Sequence, residues 1–155
     1  MKAIFLDIDG VLNDENILIE KQEENQIEIS KEKLLLLKEI ITKTNSKIIL
    51  SSSWRNGLKK ENKTISGTTN FHKEFLKLLK KYDITIYDIT GSPKGKRMEE
   101  ILEYLKNNKE IENYIILDDE PLDSKHQIKT DFENGGLTKK HVKTAINKLN
   151  RVRKR

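Results

Sequence analysis

Residues 1–12, Met-Lys-Ala-Ile-Phe-Leu-Asp-Ile-Asp-Gly-Val-Leu, run a short apolar strand, Ala3–Leu6, straight into two carboxylates, Asp7 and Asp9. Two acids so close together at the end of a buried strand repel one another and lose hydration. A cation, a ligand or hydrogen-bond donors must offset that cost. The same punctuation recurs along the chain. Lys47-Ile-Ile-Leu50 is an apolar, β-branched run that stops at Ser51-Ser52-Ser53, and Tyr114-Ile-Ile-Leu117 stops at Asp118-Asp119. Ile84–Tyr87 reads as a further strand and Gln127–Thr130 as a weaker one.

Helical periodicity fills the intervals. Ser30 can cap a helix reaching about Thr44, with Leu34, Leu37 and Ile41 on one face. A second helix over Phe71–Tyr82 turns Phe75, Leu78 and Leu79 inward, a third over Lys96–Asn107 uses Ile101, Leu102 and Leu105, and a last one runs from Thr138 to about Asn150. Asp14–Ile29 is a polar excursion, Ser51–Asn70 a polar loop and Gly91–Gly95 a short loop. Short apolar strands alternating with amphipathic helices predict an α/β sandwich with a mostly parallel sheet. One domain over residues 1–150 is expected, with a basic tail over 151–155.

Composition bounds the function. Apolar and charged residues each make up 35% of the 155 residues, and the apolar ones gather into segments, so the chain is polar but not a disordered one. Cysteine is absent, which removes disulfides, thiolate metal sites and a cysteine nucleophile. Asp7 interrupts the first apolar run too early for a signal peptide, and no run approaches the roughly 20 residues of a membrane span. A cytoplasmic protein with no membrane partner is expected. The net charge of +5 can attract a polyanion, although much of the surplus sits in the last five residues, where it reads equally as a solvated tail.

In parallel α/β sheets ligands bind at the carboxyl ends of the strands. Asp7, Asp9, Ser51–Ser53, Asp118 and Asp119 all follow strands directly, so they belong on one rim. Gathered carboxylates suit a hard, oxygen-preferring cation such as Mg²⁺. Ser51 and the basic loop of Lys94, Lys96 and Arg97 offer donors and positive charge for an anion. A metal, an anion site and a free carboxylate are the parts of phosphoryl transfer.

At these residues the sequence resembles the haloacid dehalogenase (HAD) superfamily of phosphohydrolases. Asp7-Ile-Asp-Gly-Val-Leu12 looks like the first motif, Ile48-Ile-Leu-Ser51 the second, a base within Lys94–Arg97 the third and Ile115-Ile-Leu-Asp-Asp119 the fourth. Leu50-Ser-Ser-Ser-Trp-Arg55, with Lys129-Thr-Asp131 and Gly136-Leu-Thr138, resembles the HAD domain of Swiss-army-knife RNA-repair proteins, related to polynucleotide 3′-phosphatases. The resemblance implies a Rossmannoid three-layer sandwich with a mostly parallel sheet. The chain departs from larger family members in being capless or minimally capped, because Asp14–Ile29 and Arg55–Asn70, the insertion points, are too short for a folded lid. It implies Asp7 as the nucleophile forming an aspartyl-phosphate and Asp9 as the general acid and base. Ser51 and a motif-three base would contact the phosphoryl group. Mg²⁺ would be held by Asp7, Asp118, the Asp9 carbonyl and, through support or water, Asp119. Gly10, Ser52 and Arg55 are expected to touch substrate.

Several alternatives stay open on sequence grounds. Arg97 aligns best with the third motif, counting back from Ile101, but Lys94 and Lys96 also qualify. Outside the tail the only arginines are Arg55 and Arg97, which fits a two-pronged phosphate contact as well as chance. Trp54 reads as a packing anchor or a base-stacking platform, and Asp123 and Asp131 as turn residues or outer acids. His72, His126 and His141 lack ligand spacing. The substrate is a phosphorylated molecule, a nucleic-acid 3′-phosphate end or else a small phosphoester or nucleotide. A receiver-like phosphoacceptor is disfavoured because the acidic pair follows the fourth strand, and an idle binding module because the acidic and serine set is intact.

Overall fold

The computed structural model describes residues 1–17, 27–91 and 96–151. In chain order the elements are β1 (Lys2–Leu6), α1 (Lys31–Thr44), β2 (Lys47–Leu50), a 3₁₀ turn (Ser53–Gly57), β3 (Leu58–Glu61), β4 (Thr64–Gly67), α2 (Asn70–Lys81), β5 (Ile86–Ile89), α3 (Arg97–Asn107), β6 (Asn113–Asp118), β7 (Gln127–Lys129) and α4 (Lys139–Leu149). Five strands make one sheet in the order β5-β2-β1-β6-β7, and every neighbouring pair is parallel. The predicted α/β sandwich is therefore the observed fold.

Side-chain alternation along the strands divides the core into two layers. Ile4, Leu6, Ile48, Leu50, Ile115 and Leu117 face α1, α2 and α4. Ala3, Phe5, Ile49 and Ile116 face α3 through Ile101 and Tyr104. Among the described residues, α1, α2 and α4 thus cover one face and α3 the other. Ser30, the cap read from the sequence, accepts from the Lys33 amide, and Thr69 and Thr138 cap α2 and α4 in the same way, accepting from His72 and His141.

Several local expectations shift. The strand expected over Ile84–Tyr87 forms over 86–89, because Ile84 is used to close α2. Its amide donates to the Leu79 carbonyl at 3.0 Å, and Asp83 turns the chain with φ 56°. On α3, Leu102 is exposed, and Tyr104 takes the buried position edge-on to Phe5, 5.8 Å away. On α1, Ile40 is fully buried beside Leu34 and Leu37 while Ile41 is only partly buried, and on α2 Leu78 packs at the margin.

The largest correction falls in residues 51–70, which fold into the 3₁₀ turn and the antiparallel hairpin β3–β4 rather than a loop. Asn62 and Lys63 both adopt positive φ, the two-residue turn whose twist suits a hairpin. The strands Leu-Lys-Lys-Glu and Thr-Ile-Ser-Gly carry almost no apolar alternation, so the pairing has little sequence signal. Residues 18–26 of the first expected cap-insertion point, Ser92–Gly95 of the basic loop and residues 152–155 of the tail lie outside the described residues. Among the described residues, no helix is long and apolar enough to cross a membrane.

Candidate active site

The hydrogen-bond ladder of the sheet continues one residue beyond the strands. The Asp7 amide donates to Leu117, Ser51 to Leu6 and Thr90 to Leu50, each at 3.0 Å. Since Leu6 pairs with both Leu50 and Leu117, the row Thr90, Ser51, Asp7, Asp118 crosses the carboxyl rim in order. These positions lie two residues beyond the layer that faces α3, so alternation turns them toward the start of that helix. Arg97 is its first residue.

Arg97 closes the site. Its Nη1 lies 2.9 Å from the Asp118 carboxylate, 3.4 Å from Asp7 and 3.8 Å from Glu120. Asp118 is fully buried and Asp7 almost so. Each of Asp7, Asp118 and Asp119 offers an oxygen, all three within 4.8 Å of one another, which is a set that could hold a metal ion. The Asp119 carboxylate occupies the space over Gly10, where a Cβ would collide with it, and Gly10 has φ 82°. A side chain there would be strained and would also displace an acid of the cluster.

One guanidinium does not balance this acidity. Burial, then the Asp118 carboxylate, pushes the Asp7 carboxyl up to about 7 from its ordinary 3.8, against the pull of Arg97. Burial and Asp118 also raise Asp119. Burial would lower Arg97, but Asp7 and then Asp118 outweigh it, and its pKa is raised. A cation among these oxygens would return Asp7 to the carboxylate form. The donor set therefore fits a hard divalent ion.

Asp9 stands apart from the cluster. Its side chain is exposed at the rim and held from both sides, accepting from Asn13 Nδ2 at 3.0 Å and from the Trp54 indole N–H at 3.2 Å. Asn13 also accepts from the Gly10 amide at 2.8 Å, and Thr130 donates its hydroxyl to the Gly10 carbonyl at 2.6 Å. The loop carrying both acids is thereby tied down on either side of the turn.

The second rim segment divides its tasks. The Ser51 hydroxyl is fully buried and has no hydrogen-bond partner among the described residues, as does that of Thr90. A buried hydroxyl in that state costs free energy unless something at the site uses it. Ser52 caps the 3₁₀ turn by accepting from the Trp54 amide. Arg55, expected at the substrate, points inward instead. It pairs with Glu100 of α3 at 2.9 Å, both groups buried, and donates to the Ser51 and Ser52 carbonyls at 2.9 and 3.2 Å. Lys96 is exposed at the start of α3, its amide donating to Glu99, and Lys94 lies outside the described residues. Asp131 caps a turn, accepting from the Glu133 amide and Asn134.

Residues 3–142 match the family described as the HAD domain in Swiss Army Knife RNA repair proteins. The chain belongs to that HAD family. Comparison with curated proteins and with solved structures finds no match. Membership in a family of phosphohydrolases accords with a HAD domain whose three carboxylates, arginine and serine share one rim. It also accounts for motif order, since the acids of this HAD domain follow β1 and β6. The partners that position the site are less legible. Asn13 and Trp54 stand beside recognisable motifs, whereas Glu100 looks like any helical surface acid and Thr130 like the end of a weak strand.

Proposed function

We propose that the chain is a Mg²⁺-dependent phosphomonoesterase that works through an aspartyl-phosphate at Asp7 and acts on nucleic-acid 3′-phosphate ends. The observation that carries this reading is the charge imbalance at the rim among the described residues, three clustered carboxylates against the guanidinium of Arg97. The Asp7, Asp118 and Asp119 carboxylates, with the Asp9 carbonyl, would hold the ion, whose charge offsets that of the acids and of a phosphate.

The chain's own residues then divide the chemistry. Asp7 attacks phosphorus through a carboxylate oxygen, and the ester P–O bond breaks as Asp9 delivers a proton to the departing oxygen. Asp9 next takes a proton from a water, the water oxygen bonds to phosphorus, and the acyl phosphate bond breaks to regenerate Asp7 and release inorganic phosphate. The Ser51 hydroxyl and Arg97 stabilise the charge that develops on the phosphoryl oxygens. Trp54 and Asn13 hold Asp9 at the rim, exposed enough to meet both a leaving group and a water.

The substrate follows from the family's setting in RNA repair and from a chain that carries an excess of lysine and arginine. Each backbone phosphate met by a lysine or arginine releases counterions, so affinity for a polymer falls with salt more steeply than affinity for a small phosphoester. The test compares kcat/KM for a 3′-phosphorylated oligonucleotide and a mononucleotide 3′-phosphate across a salt series. A higher value for the oligonucleotide, with the gap closing as salt rises, is expected. Equal values at low salt reject the nucleic-acid substrate and leave a phosphatase of small phosphoesters. Acid quenching during turnover, followed by mass spectrometry, should find one phosphoryl group on Asp7, and none in excess chelator.

A further inference from the structure

We propose that Phe71, backed by Trp54, is the shelf on which the terminal base of a 3′-phosphorylated strand stacks while its phosphate sits at Asp7. This rests on the nucleic-acid reading above and adds the group that would recognise the last nucleotide. Trp54 connects the shelf to the chemistry. Its indole N–H touches the Asp9 carboxylate, and its ring lies 5.1 Å from the fully buried Phe75 and 5.3 Å from Phe71, one turn earlier on the same helix. Phe71 is therefore one indole away from the carboxylate that would protonate the leaving oxygen.

Exposed apolar side chains are ordinary when they stand alone. Leu35 and Leu102 are of that kind, on α1 and α3, and Tyr87 of β5 lies under the Lys60 ammonium, 5.9 Å from its ring centre, away from any aromatic row. Phe71 is not alone: at 46% exposure it continues an aromatic row that begins at the active-site rim. The His72 ring also meets it edge-on at 5.3 Å, so the phenyl group is braced by two rings. A braced ring loses little freedom when a flat partner lies on it, which favours stacking.

Charge near the shelf points to the same occupant. The hairpin and the first turns of α2 carry exposed Lys59, Lys60, Lys63 and Lys73 against Glu61 and Glu74. Lys59 pairs with Glu61 and Lys60 with Asp88, while Lys63 and Lys73 are in no ion pair among the described residues. A nucleic-acid strand supplies both needs, a π-face for the ring and phosphates for the lysines. Stacking tolerates any base, so the shelf would read the presence of a base and not its identity.

The test uses two 3′-phosphorylated oligonucleotides of one sequence, one of them abasic at its last position. Wild-type protein should favour the intact end by about tenfold in kcat/KM, the low end of what one stacked base contributes. Phe71→Ala and Phe71→Leu should remove most of that preference, and Phe71→Trp should restore it, because leucine keeps the apolar surface but offers no π-face. Leu35→Ala is the control and should keep the preference. Trp54 is the only tryptophan. Its fluorescence in the Asp7→Asn variant should therefore be quenched more by the intact oligonucleotide than by the abasic one, with no turnover required. Quenching that depends on the base, with no hydrolysis of either strand, would keep the shelf and reject the phosphatase reading. Hydrolysis of both strands at equal kcat/KM, with Phe71→Leu behaving like wild type, would overturn the shelf and leave the phosphatase reading standing.

Discussion

Two arginine–carboxylate contacts lie within the first turn of α3, one through Arg97 and one through Glu100, and they serve opposite ends. Arg55 meets Glu100 one to one through Nη2, both are buried, and its Nη1 donates to the Ser51 and Ser52 carbonyls. Arg97, one turn earlier on α3, faces Asp118, Asp7 and Glu120 through a single nitrogen. The first arrangement is balanced and holds the segment after β2 against α3. The second leaves surplus negative charge that no other cation among the described residues pairs with. A buried pair whose charges cancel is architecture, whereas a buried cluster whose charges do not cancel is prepared for a ligand.

Removing the surplus charge should produce the largest effect on activity and no loss of fold. Asp7→Asn removes the nucleophile while keeping its shape, and phosphatase turnover should drop at least about a thousandfold, on the order of 4 kcal/mol in barrier. Circular dichroism should remain that of the wild type. Near-normal turnover in this variant would remove Asp7 from the mechanism.

Breaking the balanced pair should do the reverse. Glu100→Ala leaves Arg55 buried and unpaired, at a cost of about 3 kcal/mol in a denaturant titration. A double variant that replaces Arg55 with Met and Glu100 with Leu should recover much of that loss. If Glu100→Ala unfolds at the wild-type denaturant concentration, the pair does not hold the fold.

Next comes the partner of the acidic cluster. Arg97→Ala should lower kcat about a hundredfold, the effect of losing one donor aimed at developing charge, with a smaller change in KM. Lys94→Ala and Lys96→Ala should move KM alone. A kcat collapse in either lysine variant would transfer the motif-three role from Arg97.

The smallest expected effect is on the stability of metal-free protein. Asp7 titrates near 7 in the fold and near 3.8 when unfolded, so the folded state keeps a proton that the unfolded state has lost. The stability tied to that proton is complete below the unfolded value and disappears as pH rises through about 7. In chelator, Tm should therefore fall between about pH 5 and pH 8 more in wild type than in Asp7→Asn. Added Mg²⁺ should raise the wild-type Tm most at the higher pH, where no proton competes for the Asp7 oxygen. Parallel Tm profiles for the two proteins would mean that Asp7 is ionised throughout.

The sheet was legible because its signals are local. A run such as Lys47–Leu50 or Tyr114–Leu117 buries both faces and announces itself without reference to the rest of the chain. The hairpin was not legible, since Lys59, Lys60 and Glu61 face solvent and a turn through Asn62-Lys63 lacks glycine. The start of β5 was misplaced for a related reason. Ile84 is as β-prone as Ile86, and only its bond to the Leu79 carbonyl assigns it to the end of α2.

By itself, then, the sequence determined which polar residues follow strands, and hence that Asp7, Ser51 and Asp118 share one rim; the strand order that makes them neighbours came from the structure. Strand pairing is repetitive, and a carboxylate just past an apolar run has no other place to go. Only the tertiary structure decided which partner each rim side chain takes. Arg55 turned to Glu100, Trp54 donated to Asp9, and Phe71 was left open beside them. Those choices join residues tens of positions apart, and they depend on how a helix end and a turn are brought together over the sheet. No local pattern carries that information, because the same arginine or tryptophan serves equally well facing inward or out.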